Sequence, residues 1–167
     1  MTTWTVSPQP AGSPESAGLL REYLVDVADR WYLLHDGRRC APEEIERHLA
    51  EMRSEDPVPP DGLLLVARYG GEPAGCVGLR RLDAGTAELC RMFVRADRRG
   101  LGGSGALLGA AEEAARAWGA ARIVLETRRD LVEARALYAR HGFGDVSPYK
   151  AGDAYSEVWL GRELTGA

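Results

Sequence analysis

One lysine, Lys150, stands against twenty arginines in this sequence, and its three cysteines, Cys40, Cys76 and Cys90, have neither an even count nor metal-type spacing. A disulfide framework and a zinc site are set aside on that ground. No metal is expected, and the thiols read as buried groups in a reducing compartment. Long apolar runs are missing too. The longest, Leu63-Leu-Leu-Val-Ala67, is strand length, and no basic residue precedes Arg21, so neither membrane association nor an export signal is expected and the protein is placed in the cytoplasm. No repeat, low-complexity segment or composition shift divides the chain. With 167 residues, 45% of them hydrophobic, the expectation is one domain over 1–167 with a sizeable core. A basic stripe interleaved with aromatics is also lacking and the net charge is −4, which argues against nucleic acid as a partner.

What is present is a glycine turn between a strand and a helix, in Met92-Phe-Val-Arg-Ala-Asp-Arg-Arg-Gly-Leu-Gly-Gly-Ser-Gly-Ala-Leu-Leu108. Gly100, Gly102, Gly103 and Gly105 lack a Cβ, so backbone N–H groups can close on an anion, and the first helical turn adds free donors and the positive end of its dipole. A phosphorylated cofactor is therefore expected. Charge is distributed accordingly: residues 1–60 carry 11 acids and 6 bases, residues 91–140 carry 10 bases and 6 acids. That asymmetry suits a polyanion on one side and a cationic substrate on the other.

Gly100 to Gly105 also fits the dinucleotide pattern G-x-G-x-x-G, with Glu126 ending the next strand where a ribose-binding acid would stand. Three observations oppose it. Arg95 to Arg99 separates the motif from its strand, about half of the chain precedes it, and too little follows Glu126 to finish a doubly wound sheet. A Walker A loop is excluded because no Gly-Lys-Ser/Thr follows.

Patterning gives a short strand at Trp4–Pro8, a helix opened by Ser13-Pro14-Glu15 and running to about Leu34, and a second from Pro42 to about Glu55. Strands follow at 63–69, 74–82 and 87–95, joined by turns short enough for hairpins. A helix over 106–118, with Leu107, Leu108, Ala111, Ala114, Ala115 and Trp118 on one stripe, leads to a strand at 122–127. A helix containing Tyr138 and strands near 143–146 and 157–160 complete the chain. The fold class is α/β: a mixed central sheet in which an antiparallel meander leads into a parallel βαβ unit, with helices on both faces.

The loop Arg99-Gly-Leu-Gly102-Gly-Ser104 resembles the R/Q-x-x-G-x-G/A pyrophosphate loop of the GCN5-related N-acetyltransferases (GNAT). Ala134-Arg-Ala-Leu-Tyr138-Ala-Arg-His-Gly142-Phe143 is similar to that family's second signature, A-x-x-L/F-Y-x-x-x-G-F. Together they cover roughly residues 62–145. The resemblance implies a GNAT-like fold and acetyl-CoA (coenzyme A) lying where two parallel strands splay apart. Main-chain groups of Met92, Phe93 and Val94 would hold the pantetheine arm, with the Met92 N–H as oxyanion donor. Arg98, Arg99, Gly100, Leu101, Gly102, Gly103, Ser104 and Gly105 would hold the pyrophosphate.

Glu88, eleven residues before Arg99, resembles the glutamate base of the histone-acetylating branch, and ordered water is the alternative base. Strand alternation places Glu88, Cys90, Met92 and Val94 on one face. Tyr138 takes the family's role of acid for the leaving thiolate. Two positions depart from the pattern: Ser104 replaces Gly or Ala, and Leu131 stands where relatives often have a cofactor-binding Asn.

Family substrates enter between the first helices and the last loop, so Trp31, Tyr32, Asp36, Tyr149, Asp153 and Tyr155 are the candidate acceptor residues. The implied activity is direct acetyl transfer, in a ternary complex, to a primary amine of a small molecule or peptide. The alternative is a non-catalytic acyl-CoA-binding or regulatory module. The resemblance also admits a homodimer.

Overall fold

A computed structural model describes residues 3–164. The first helix begins where Ser13 accepts a hydrogen bond from the Ser16 N–H at 3.2 Å, and it ends at Gly37 in the left-handed conformation (φ 68°). The elements run β1 (Trp4–Gln9), α1 (Pro14–Asp36), α2 (Pro42–Arg53), β2 (Gly62–Tyr69), β3 (Glu72–Asp83) and β4 (Thr86–Val94). After a 3₁₀ turn at Ala96–Arg98 come α3 (Gly103–Ala117), β5 (Arg122–Thr127), α4 (Val132–Arg140), β6 (Gly144–Asp145) and β7 (Val158–Glu163). The expected elements are present with shifted ends. Helix α3 starts three residues earlier than the apolar stripe suggests, and β6 is a two-residue bridge rather than a full strand.

The strands form one sheet in the order β1-β2-β3-β4-β5-β7-β6. Strands β1 to β4 pair antiparallel, β4 and β5 pair parallel through the α3 crossover, and β7 inserts between β5 and β6. This is the mixed α/β arrangement read from the sequence. Helices cover both faces. Leu65, Val77, Leu79 and Leu89 pack under α3 and α4 with Leu107 and Leu108, while Leu64, Val66, Cys76 and Phe93 pack under α1 with Leu19 and Leu20. Leu107 is fully buried, so Leu107→Ala is expected to destabilise the fold by roughly 2–5 kcal/mol. Chemical denaturation measures that as a lower midpoint at constant slope.

Two irregularities of β4 shape the site. Its parallel pairing with β5 covers Thr86↔Arg122, Ala87↔Ile123 and Glu88↔Val124 and then stops, although both strands continue. From Leu89 onward the edge of β4 facing β5 has no strand partner. Against β3, Gly78 pairs with Cys90 but Cys76 pairs with Phe93, so Arg91 and Met92 oppose Val77 alone, a β-bulge with Arg91 at φ 53°. The buried Arg91 side chain locks this conformation by donating to the Met52 carbonyl at 2.7 Å and pairing with Asp56.

Candidate active site

The bulge corrects one expectation from alternation. Ala87 and Leu89, which alternate with Glu88 and Cys90, pack on the α3 side, but the extra residue reverses the parity beyond it: Phe93 packs under α1, while Met92 and Val94 join the α3 side. Met92, Phe93 and Val94 line a cleft of about 320 Å³ at the splay, together with Arg99, Ser104 and Leu137. An unpaired strand edge beside a cleft presents amide and carbonyl groups to an extended ligand as a neighbouring strand would.

The cleft continues into a cavity of about 300 Å³ formed by the glycine loop, lined by Arg98, Arg99, Gly100, Gly102–Gly105, Arg140 and His141. The first intrahelical donor of α3 is the Ala106 N–H, to Gly102 O at 3.2 Å. The N–H groups of Gly103, Ser104 and Gly105 are thus left for an anion. Gly102 caps the helix at φ 91°, a conformation only glycine holds without strain. Gly103 is required for packing, because a Cβ there would lie 2.5 Å from the Trp4 ring. Trp4 also donates Nε1–H to the Leu101 carbonyl at 2.8 Å, so the first strand clamps the loop from outside. Arg99 is anchored by its Nε–H to Val94 O at 2.9 Å, with the guanidinium above the Phe93 ring. Arg98 lies over Tyr69. Gly102→Val is expected to cost about 1–3 kcal/mol of stability through backbone strain, read as a lower denaturation midpoint.

Tyr138 is buried against Phe143 in the core on the α3 and α4 side. Burial pushes its phenol pKa well up, with further upward contributions from Tyr23 and Cys90. Among the described residues its hydroxyl has no hydrogen-bond partner, yet no sealed side-chain polar atom lacks one. The hydroxyl is therefore not fully sealed, and the neighbouring Leu137, rather than Tyr138 itself, lines the cleft and the loop cavity.

Beyond Val27 and Leu131, which wall both spaces, lies a second pocket of about 240 Å³. Trp31, Tyr32, Tyr155, Tyr23 and His48 give it aromatic walls, and Glu126 contributes a carboxylate. Trp31 meets Tyr155 edge-on at 4.8 Å, while the buried Arg128 packs over Trp31 at 5.3 Å and is held by Asp130. Of the six acceptor candidates, the structure brings Trp31, Tyr32 and Tyr155 to this pocket. Asp36 is exposed at the end of α1 outside it, and Asp153 accepts from the Tyr155 N–H within its own loop. Tyr149 goes elsewhere, donating its hydroxyl to Glu88 Oε2 at 2.6 Å.

Glu88 is enclosed. Its side chain is 3% exposed, with Arg80 Nη1 3.4 Å from Oε1 and Lys150 Nζ 2.8 Å from Oε2. Burial and the bond to Glu88 both raise the Tyr149 pKa, keeping that phenol protonated. Burial disfavours the Lys150 ammonium, but the hydrogen bond and charge of Glu88, with Glu126, outweigh it and hold its pKa above the ordinary lysine value. Sequence reasoning missed Lys150, Arg91, Arg140 and the pocket-wall role of Glu126. Only Lys150 carried a signal, as the sole amine side chain. Leu131 caps α4 without a side-chain hydrogen bond and forms an apolar partition between the two spaces.

The fold that carries this splayed parallel pair and glycine-capped helix is shared with known acetyltransferases. The family model described as the Acetyltransferase (GNAT) family matches residues 26–143. The chain belongs to that family of acetyltransferases. It is 32% identical over 117 residues to the IAA acetyltransferase of Azospirillum brasilense, covering 64% of this chain and 76% of that protein. In fold it is similar to a GNAT-family acetyltransferase from Staphylococcus aureus Mu50 (TM-score 0.73, 17% identity, 98% of this chain and 100% of that one). It is also similar to the PaiA N-acetyltransferase from Thermoplasma acidophilum in complex with coenzyme A (TM-score 0.66, 20% identity, 96% and 99%). No helix among the described residues is long and apolar enough to cross a membrane.

Proposed function

We propose that the protein is an acetyl-CoA-dependent N-acetyltransferase that acetylates a primary amine of a small molecule or peptide by direct transfer in a ternary complex. The observation that carries this reading is the meeting of two spaces at Val27 and Leu131: a donor cleft ending at free N–H groups, and an aromatic acceptor pocket with a carboxylate in its wall. The glycine loop fits a pyrophosphate, and the open edge of β4 fits an extended amide chain.

When bound, acetyl-CoA supplies the activated thioester. Every other task falls to the chain. Glu88 accepts the ammonium proton, directly or through water, so that the amine attacks as a neutral nucleophile. The Met92 N–H donates to the developing carbonyl oxyanion. Tyr138, kept protonated by burial, donates to the leaving sulfur. The amine nitrogen gains the acetyl group, the carbon–sulfur bond breaks, and the thiol leaves with the phenolic proton; the second proton of the nitrogen, released as the amide forms, returns Tyr138 to its protonated state, so that one proton remains on Glu88.

The enclosure of Glu88 by Tyr149 and Lys150 is the observation that favours the second reading, a non-catalytic acyl-CoA-binding module. Thiol release from acetyl-CoA in the presence of aliphatic amines separates the two. Amine-dependent release, with an acetylated amine by mass spectrometry, supports the enzyme. Binding of acetyl-CoA without release across a broad amine panel supports the module.

A further inference from the structure

Glu88 and Glu126 sit on neighbouring central strands, one just before and one just beyond the point where β4 and β5 part. The group between them is not fixed to the sheet. Lys150 comes from the irregular stretch between β6 and β7, its side chain is 37% exposed, and it places Nζ 2.8 Å from Glu88 Oε2 and 3.7 Å from Glu126 Oε1. Glu126 also lines the aromatic pocket. The carboxylates are thus held by the fold while their cation is delivered from the surface by a loop. Each carboxylate keeps other partners: Arg80 and Tyr149 on Glu88, Ser156 on Glu126.

We infer that Lys150 is a tethered stand-in for the acceptor: the Glu88–Glu126 pair is a binding site for a primary alkylammonium on an unbranched chain, and the acceptor occupies it by displacing Lys150. This rests on the acceptor reading above and deepens it. A protonated aliphatic amine replaces the lysine charge for charge. A neutral arylamine would leave two carboxylates short of a cation in a partly desolvated site, so it is discriminated against. Apparent acceptor affinity is the intrinsic affinity scaled by the fraction of molecules in which Lys150 has swung away, so a lysine in place nine-tenths of the time weakens binding about tenfold.

Because Lys150 is the sole lysine, protein made with isotope-labelled lysine gives one side-chain resonance. In the free protein this resonance should be that of an ordered, ion-paired ammonium, and butylamine should move it towards the position of free lysine. Lys150→Met should bind butylamine about tenfold more tightly, with a matching fall in KM and no gain for aniline, whereas Lys150→Arg should keep the competition. A resonance already at the free-lysine position without amine, one that stays in place as butylamine saturates, or a Lys150→Met protein that binds butylamine no better would overturn the proposal. Displacement of Lys150 by butylamine without acetylation of any amine would leave the cation site standing and contradict the transferase reading alone.

Discussion

Tyr138→Phe is expected to lower kcat about a hundredfold or more while leaving KM for acetyl-CoA within a factor of a few. Loss of one positioned proton donor is worth about two to four orders of magnitude, and a change confined to kcat marks an interaction made in the transition state. The structure supplies the reason for a clean split. Tyr138 is buried through its ring, which Phe preserves in the core against Phe143. Its hydroxyl bonds nothing among the described residues, so removing it breaks no structural contact. Burial holds the phenol pKa above the ordinary value, so the wild-type enzyme should show no alkaline loss of kcat from this group below about pH 10. Unchanged kcat in Tyr138→Phe would remove the acid role.

The second large effect belongs to Glu88. Glu88→Gln is expected to lower kcat/KM for the amine about a hundredfold or more near neutral pH, because an alkylammonium with a pKa of about 10.4 then has no acceptor for its proton. The loss should shrink as pH rises towards that value, since the free-base amine no longer needs a base. That recovery separates the base from a merely structural acid. If Glu88 served only to hold Arg80, Tyr149 and Lys150, the defect would stay constant with pH and appear as a lower denaturation midpoint.

Much of this was legible in the sequence because the signals are local. Gly100 and Gly102 do take positive φ, Ser13 does cap α1, and 122–127 is a strand at the expected limits, its apolar run Ile123–Leu125 bounded by polar residues. What escaped depends on contacts between distant residues. The bulge at Arg91 needs the Met52 carbonyl and Asp56 from the end of α2, and nothing within the strand announces it. As a result the alternation argument held up to Cys90 and failed beyond it. Gly103 looked like one more phosphate-loop glycine, yet its tightest constraint is the Trp4 ring, about a hundred residues earlier. Tyr149 and Lys150 lie in an irregular segment without periodicity, so their closure over Glu88 had no pattern to betray it. Asp36 and Asp153 were nominated by their charge within the segments where family substrates enter, and the structure leaves both outside the aromatic pocket.

Calorimetric titration of acetyl-CoA into the protein, with NADH in parallel, tests the central claim most directly. The account predicts micromolar or tighter binding of acetyl-CoA, weakened by Gly102→Val, and none of NADH. Binding of NADH without acetyl-CoA would contradict it and return the glycine turn to the dinucleotide reading.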